Sequence, residues 1–397
     1  MKILIATTRF PRKLGKPDSF TVFKLIEFLS PRHEIALITF YETKRELEDL
    51  ASLKKICSEV HLIKRNKLKS LLSLFFNILN IKPFQVNYFK SNKFKKIAQH
   101  VYSDFKPDIG YAHLIRASEF IKELKLKKII AYQISHILNY ERLVKNKKFG
   151  LKKIFYSIEL FLVKKYERSI VHYFSKMLFI GQVDYSTTFP QMQFLDKLFI
   201  SPHGVDLEYF SRKRPIPRNK TIIFPASFSA ETNREACEWF CLEIYPFLIK
   251  EVQDVKVIFA GRNPSNFLKN FAKQNQNILV TGYVKDIRIF YEEAAILFNP
   301  VRSCAGQQNK ILTGMAMQIP VVSTFEANEA INAEHEKHIL LSESNAPEKF
   351  AQNIIKLLNN DKLREEIGLK GYKFVKEKWS WEKHFKDLEE NLLNKIF

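Results

Sequence analysis

Short apolar runs of strand length recur along the chain, each ending in a small or polar loop and most separated by segments of helix length. "KILIAT" (2–7) leads to a helix-like stretch around Ser19 to Leu29 and then to "HEIALITF" (33–40), the opening of a parallel α/β sheet. Strand-like runs continue near Val60 and in "KPDIGYAH" (106–113), "KKIIAYQI" (127–134), "KMLFIG" (176–181) and "KLFISPHGV" (197–205). "RKRPIPRNK" (212–220), with two prolines and five basic residues, reads as a linker. The alternation then restarts in "TIIFPAS", "VKVIFAG" (255–261), "NILVTG" (277–282), "AAILFNPV" (294–301) and "IPVVST" (319–324). "EACEWFCLEIYPFLIKE" and the stretch from "APEKFAQNII" to the end have helical spacing. The predicted fold class is α/β, with doubly wound domains at 1–200 and 221–378. A linker at 201–220 joins them, and a C-terminal helix at 379–397 is expected to cross back to the first domain. Ligands of such sheets bind beyond the carboxyl ends of the strands.

Length allows this, since 397 residues suffice for two cores. Charge narrows the partner: 64 Lys and Arg against 42 Asp and Glu leave +22, which predicts something acidic. Nucleic acid is not expected, because no RRM, KH, zinc or helix-turn-helix signature accompanies the charge. Cys57, Cys237, Cys241 and Cys304 form no CxxC pair, so neither a zinc site nor a disulfide framework is expected. Cys237 and Cys241 share a helix face and read as reduced core residues. The N-terminus reads as a strand rather than a signal peptide, and "LLSLFFNILNI" (71–81) is too short to span a bilayer. The expected location is cytoplasmic, peripheral on the inner face of the cytoplasmic membrane.

Chemistry concentrates in "NPVRSCAGQQNKILTGMAMQIPVVST" (299–324). Arg302 lies past a predicted strand end, Gly306 permits a loop whose amides point at an anion, and a helix is predicted to start near Gln308. Free first-turn amides, the helix dipole and Lys310 together suit a diphosphate. An ordinary strand–turn–helix connection with a surface lysine has the same letters. Upstream, Tyr283 and Val284 follow a strand ending at Gly282. A loop there can offer backbone groups to a base edge, or serve only as a turn.

The block from "GYVKDIRIFYEEAAILFNPVRSCAGQQNKILTGMAMQIPVVST" resembles the donor-nucleotide region of glycosyltransferase family 4, the retaining GT-B enzymes. It is most similar to the branch with a "PxR" strand end, "QNK", "MAM" and "PVV". "RFP" near the N-terminus, "SPHGVDLEYF" (201–210) and "FSAETNREACEWF" (228–240) are similar to further elements of that branch, so the resemblance runs over nearly the whole chain. It implies a GT-B fold, two Rossmann-like domains facing across a cleft, and metal-independent transfer from a UDP- or GDP-sugar without a cofactor. It further implies Arg302 and Lys310 on the phosphates, with amides from Gly306 and Gln307. Asn309 belongs to the same loop, base contacts come from Tyr283 and Val284, and Thr313 falls at the ribose position. On the acceptor side it implies Arg9 and the loop through Gly15. His113, at a strand end, corresponds to a position near the transferred sugar, and His136 is its rival.

The chain departs from the family at defined points. Two glutamates seven residues apart are usual around the donor helix; here the second is Thr313 and the first falls near Ala305. Asn-Gly before "VD" is His203-Gly204, and acids common before the "YER"-like segment are Tyr132 and Ser135. A hydroxyl at 313 loses the stronger, charge-assisted contact. Two alternatives follow: a catalytically silent GT-B partner subunit, or a nucleotide-sugar epimerase, which needs acids near the sugar that the sequence does not supply.

Two basic stretches point to the acceptor. Residues 64–100 hold nine Lys or Arg and no acid, and 142–168 hold nine against Glu159 and Glu167, interleaved with "IFYSIELFLV". Basic and apolar residues in one helix suit an anionic bilayer, although a core face backed by solvated lysines has the same pattern. The expected activity is transfer to a saccharide or lipid-linked acceptor in cell-surface polysaccharide or lipopolysaccharide synthesis.

Overall fold

The computed structural model describes residues 1–13, 17–66, 68, 70–71, 74, 81–145, 150–303 and 306–393. Gly15, Cys304, Ala305 and most of the 71–81 run lie outside them. The chain forms two compact units, one of Met1–His203 with the segment from Phe385 onward, the other Gly204–His384.

The first unit is built on seven parallel strands: β1 (Lys2–Thr7), β2 (Glu34–Tyr41), β3 (Glu59–Lys64), β4 (Ile109–His113), β5 (Lys127–Gln133), β6 (Lys176–Phe179) and β7 (Leu198–Ile200). Their order is β3-β2-β1-β4-β5-β6-β7. The second unit has β8 (Thr221–Pro225), β9 (Lys256–Ala260), β10 (Ile278–Gly282), β11 (Ile296–Asn299), β12 (Val321–Thr324) and β13 (Leu340–Ser342), in the order β10-β9-β8-β11-β12-β13. In each sheet the order reverses after the first strand, so a topological switch point lies between β1 and β4 and between β8 and β11. Central strands are buried on both faces, which is why "KILIAT" and "TIIFP" are near-continuous apolar runs rather than alternating ones.

Helices cover both sheets, and the structure adds several that periodicity did not single out: Phe84–Tyr88, Asn92–Asp104 and Ile115–Ile121. The predicted helix through "EACEWFCLEIYPFLIKE" is interrupted by a π turn at Phe240–Ile244, just before Pro246, which has no N–H to continue the α ladder. The C-terminal helix is also broken. Asp361–Lys378 ends where the Trp379 carbonyl accepts from Val205 N–H at 2.7 Å, and a new helix starts at Trp381. Phe385, Leu388, Leu392 and Leu393 bury themselves in the first unit, where Glu389 accepts from Arg32 Nε at 2.8 Å and pairs with His33 Nε2 at 2.8 Å.

Candidate functional site

In the second unit the candidate donor residues gather at the carboxyl ends of β8 to β11. Arg302, three residues past β11, is exposed, and its guanidinium lies 5.2 Å from the Trp239 ring centroid. Lys310 is in the first turn of the helix Asn309–Ala316. Its Nζ donates to Asn233 Oδ1 at 2.8 Å and sits 4.4 Å from the Phe224 ring centroid. Asn233 Nδ2 in turn donates to the Ser227 carbonyl at 2.9 Å, and Arg262 Nε reaches Ser227 Oγ at 3.4 Å. Three cations from separate segments, Arg262, Arg302 and Lys310, thus surround the ends of the central strands, which suits a multiply charged anion.

Sequence reading named Arg302 and Lys310 but missed Arg262, Asn233, Ser227 and Trp239. A signal for Arg262 existed: it follows a strand end and Gly261, as Arg302 follows β11. Gly261 has φ +145°, and a Cβ there would sit 1.8 Å from the Ala226 carbonyl oxygen, so the loop after β9 meets the loop after β8 only because this residue is glycine. Gly306 has φ +100°, again the region glycine favours. Beyond it Gln307 is half-buried, Gln308 occupies the N-cap and Asn309 opens the helix. Among the first-turn amides, Ile311 N–H donates to the Gln308 carbonyl at 3.0 Å. Tyr283 follows β10 and is 76% exposed, its ring open to solvent, while Val284 is half-buried.

Thr313 is engaged within the protein. Its Oγ1 lies 2.9 Å from the Tyr291 hydroxyl and 3.1 Å from the Lys310 carbonyl, to which it can donate. Tyr291 is 3% exposed, and burial pushes its phenol up to about 12. The threonine hydroxyl is therefore the acceptor that a buried phenol needs.

In the first unit, β1 and β4 end beside one carboxylate. Asp18 accepts from Arg9 Nη1 at 2.7 and 2.8 Å and from Arg116 Nη2 at 3.0 Å, and Arg116 Nε donates to Thr8 Oγ1 at 2.8 Å. Burial works to raise the Asp18 carboxyl, but Arg9 and then Arg116 outweigh it and hold it below the usual range. His113, the last residue of β4, is 1% exposed. Burial drives its imidazole down to about 3 against the opposing pull of Asp18. It is neutral at pH 7 and so serves as a hydrogen-bonding group rather than a proton donor of imidazolium type. Nδ1 is 3.5 Å from the Tyr111 hydroxyl, and Nε2 has no partner among the described residues. Leu114 follows with φ 71°, a costly conformation for a non-glycine residue beside a candidate site.

His136 belongs to a different set. It opens the helix His136–Lys145, and its Nδ1 and backbone N–H both meet Glu167 Oε1, at 2.9 and 3.2 Å. Glu167 is fully buried and thereby caps that helix. The structure thus brings Arg9 and His113 together around Asp18 and gives His136 an anchoring role. Among the described residues no group of three His, Cys, Asp or Glu is placed to hold a metal ion. Cys237 and Cys241 are free and buried, and burial pushes both thiols up, Cys241 to about 12.

The two doubly wound units are shared with solved GT-B proteins. TarM superposes with a TM-score of 0.68 at 14% identity, over 99% of this chain and 98% of that one. HepE of Anabaena, solved in complex with UDP, superposes with a TM-score of 0.60 at 13% identity, over 99% and 100%. Residues 219–360, which carry the cationic cluster, match the family described as Glycosyl transferases group 1. Residues 219–360 thus match a glycosyl transferases group 1 domain, and the chain is a glycosyltransferase of the GT-B fold. Among curated relatives, an uncharacterized 44.6 kDa protein in the cps region of Klebsiella pneumoniae is 22% identical over 98% of each chain. The capsular polysaccharide biosynthesis glycosyltransferase CapM of Staphylococcus aureus is 24% identical over 37% of this chain and 40% of its own.

Proposed function

We propose that this protein transfers a sugar from a UDP- or GDP-sugar to a hydroxyl of a saccharide or lipid-linked acceptor, with retention of anomeric configuration and without a metal. The setting is the synthesis of a cell-surface polysaccharide or lipopolysaccharide, in keeping with the capsular relative and the one from a cps region. The observation that carries the reading is the convergence of Arg262, Arg302, Lys310 and a helix N-terminus on one end of the second sheet. As the bond from the anomeric carbon to the diphosphate breaks, its electron pair passes to the phosphate oxygen, and these groups stabilise the growing charge. The acceptor hydroxyl attacks from the same face, and its proton passes to the leaving phosphate. His113, neutral and with Nε2 unpartnered, is suited to hold a sugar hydroxyl. Arg9 is held on the acceptor side by Asp18.

The acceptor reading extends to an anionic membrane surface on the cytoplasmic side. Among the described residues no helix is long and apolar enough to cross a membrane. The helix Leu151–Ile170 instead leaves Leu151, Ile154, Phe155, Ile158 and Phe161 between 45% and 86% exposed, at spacings that put them on one face. The acids of that helix, Glu159 and Glu167, are buried, while Lys152 and Lys165 are exposed. Such a face suits insertion among anionic headgroups.

Calorimetric titration with UDP, GDP and CMP, without metal, tests the reading. One nucleoside diphosphate is expected to bind, and Lys310→Ala to weaken it by about tenfold or more, the loss of one charge-assisted contact. Absence of binding by all three would remove the donor site. The engagement of Thr313 with Tyr291 favours a second reading, a catalytically silent partner subunit. Thr313→Glu separates the two: a large gain in nucleotide affinity marks a degenerate site, a loss marks a working one.

A further inference from the structure

A small pocket, open to solvent, lies in the first unit and is not used by the donor chemistry. Lys82, Lys90, Lys95, Arg116 and the buried Asn87 line it, together with one acid, Glu119. The cations come from the segment before the helix Phe84–Tyr88, from its far end, from the first turn of Asn92–Asp104, and from Ile115–Ile121, so tertiary folding gathers them.

The single carboxylate is already committed. Glu119 accepts from Lys82 Nζ at 2.8 Å and from the Tyr166 hydroxyl at 2.8 Å, and it pairs with Lys122 Nζ at 2.9 Å. Burial acts to raise its carboxyl, but Lys82 and Lys122 overcome this and hold it at about 2, so it stays charged and shared between two ammonium groups. Arg116 likewise shares Asp18 with Arg9. The Asp18 cluster has more positive than negative groups, and in the pocket lining four cations face one carboxylate. Lys95 has no hydrogen bond or ion pair from its ammonium among the described residues. Like charges gathered in a partly enclosed space repel one another, and an anion of two or more charges relieves that repulsion. Arg116 also ties the pocket to Thr8 and Asp18 at the switch point of β1 and β4, where ligands of such sheets bind.

We infer that this pocket holds a phosphate or diphosphate group carried by the acceptor, seated on Lys90, Lys95 and Arg116 beside Asn87. The inference rests on the transferase reading for the word acceptor, but the anion site itself does not depend on the donor. Lys82 is the wall of the site, held by Glu119, and Lys95 supplies an ammonium to the ligand.

The test is calorimetric titration of the full chain with farnesyl diphosphate and with inorganic pyrophosphate, each in saturating UDP. Saturable binding that survives UDP is expected, weakened by about tenfold or more in Lys90→Ser/Lys95→Ser. Equal affinity for the two probes assigns the site to the phosphate irrespective of its carrier. Preference for the prenyl compound assigns it to a lipid-borne diphosphate. Binding that UDP displaces, binding unchanged in the double variant, or no saturable binding of either probe overturns the proposal. UDP affinity measured on the same double variant is expected to be unchanged. If none of UDP, GDP and CMP binds, the donor reading fails while the pocket is still judged by its own two probes.

Discussion

Thr313 shows how one side chain answers to its neighbours rather than to a motif. Its hydroxyl satisfies the buried Tyr291 phenol, so Thr313→Val is expected to destabilise the second unit by about 1–3 kcal/mol, the cost of an unsatisfied buried donor. Thr313→Ser keeps the acceptor and is expected to stay close to the parent; thermal melts of the three proteins decide. His113 and Glu119 set the acid limb of stability. The His113 imidazole falls from 6.5 to about 3 on folding, so the unfolded chain binds the extra proton, and stability is lost as pH drops from about 6.5 towards 3. Glu119, held at about 2 instead of 4.5, contributes stability present above about 4.5 and lost as pH falls through that lower window. Denaturant melts across pH 7 to 3 are expected to weaken in that order, and His113→Gln to flatten the upper part. An unchanged upper limb in the variant would refute the assignment.

Among elements, the helix Leu151–Ile170 makes the sharpest prediction. Its exposed apolar stripe is unusual in a helix whose opposite face is core. Phe155→Ser/Phe161→Ser is expected to release the protein from vesicles of anionic lipid in flotation assays while leaving the melting temperature nearly unchanged, because Phe161 is 65% exposed and Phe155 48%. Raised salt should weaken the same binding, since the attraction of the flanking lysines is screened. Retention of the variant on vesicles, or parallel loss of stability, would mean the stripe has another role. Most strands were legible in advance because a strand buried on both faces must be apolar from end to end. β13, of three residues, was not among them. The breaks at Phe240–Ile244 and at Trp379 were also hidden: the first depends on where a proline meets a packed helix, the second on a carbonyl taken by Val205.

At the scale of the whole chain, the last segment belongs to the first unit although the second precedes it in sequence. Ending the chain after His384 would remove Phe385, Leu388, Leu392 and Leu393, each at most 4% exposed, from that unit's packing. At roughly 1.5–3 kcal/mol for each buried side chain, the loss approaches the whole stability of a domain. The truncated protein is expected to be insoluble or to melt far lower; a parent-like melt would show that the segment contributes little. What the sequence determined by itself was the α/β alternation in two halves, Arg302 past a strand end, Lys310 at a helix start, and the glycine turn between them. Period, length and glycine conformation are local properties, readable wherever they occur. Only the tertiary structure decided that Arg262 and Asn233 join the cationic cluster, that Arg9 and Arg116 share Asp18 near His113, that Glu167 caps the helix His136 opens, and that four cations line a pocket with one committed glutamate. Those groupings bring together residues tens of positions apart. Charge and hydrogen bonding act through space, and the order of the strands sets which distances close.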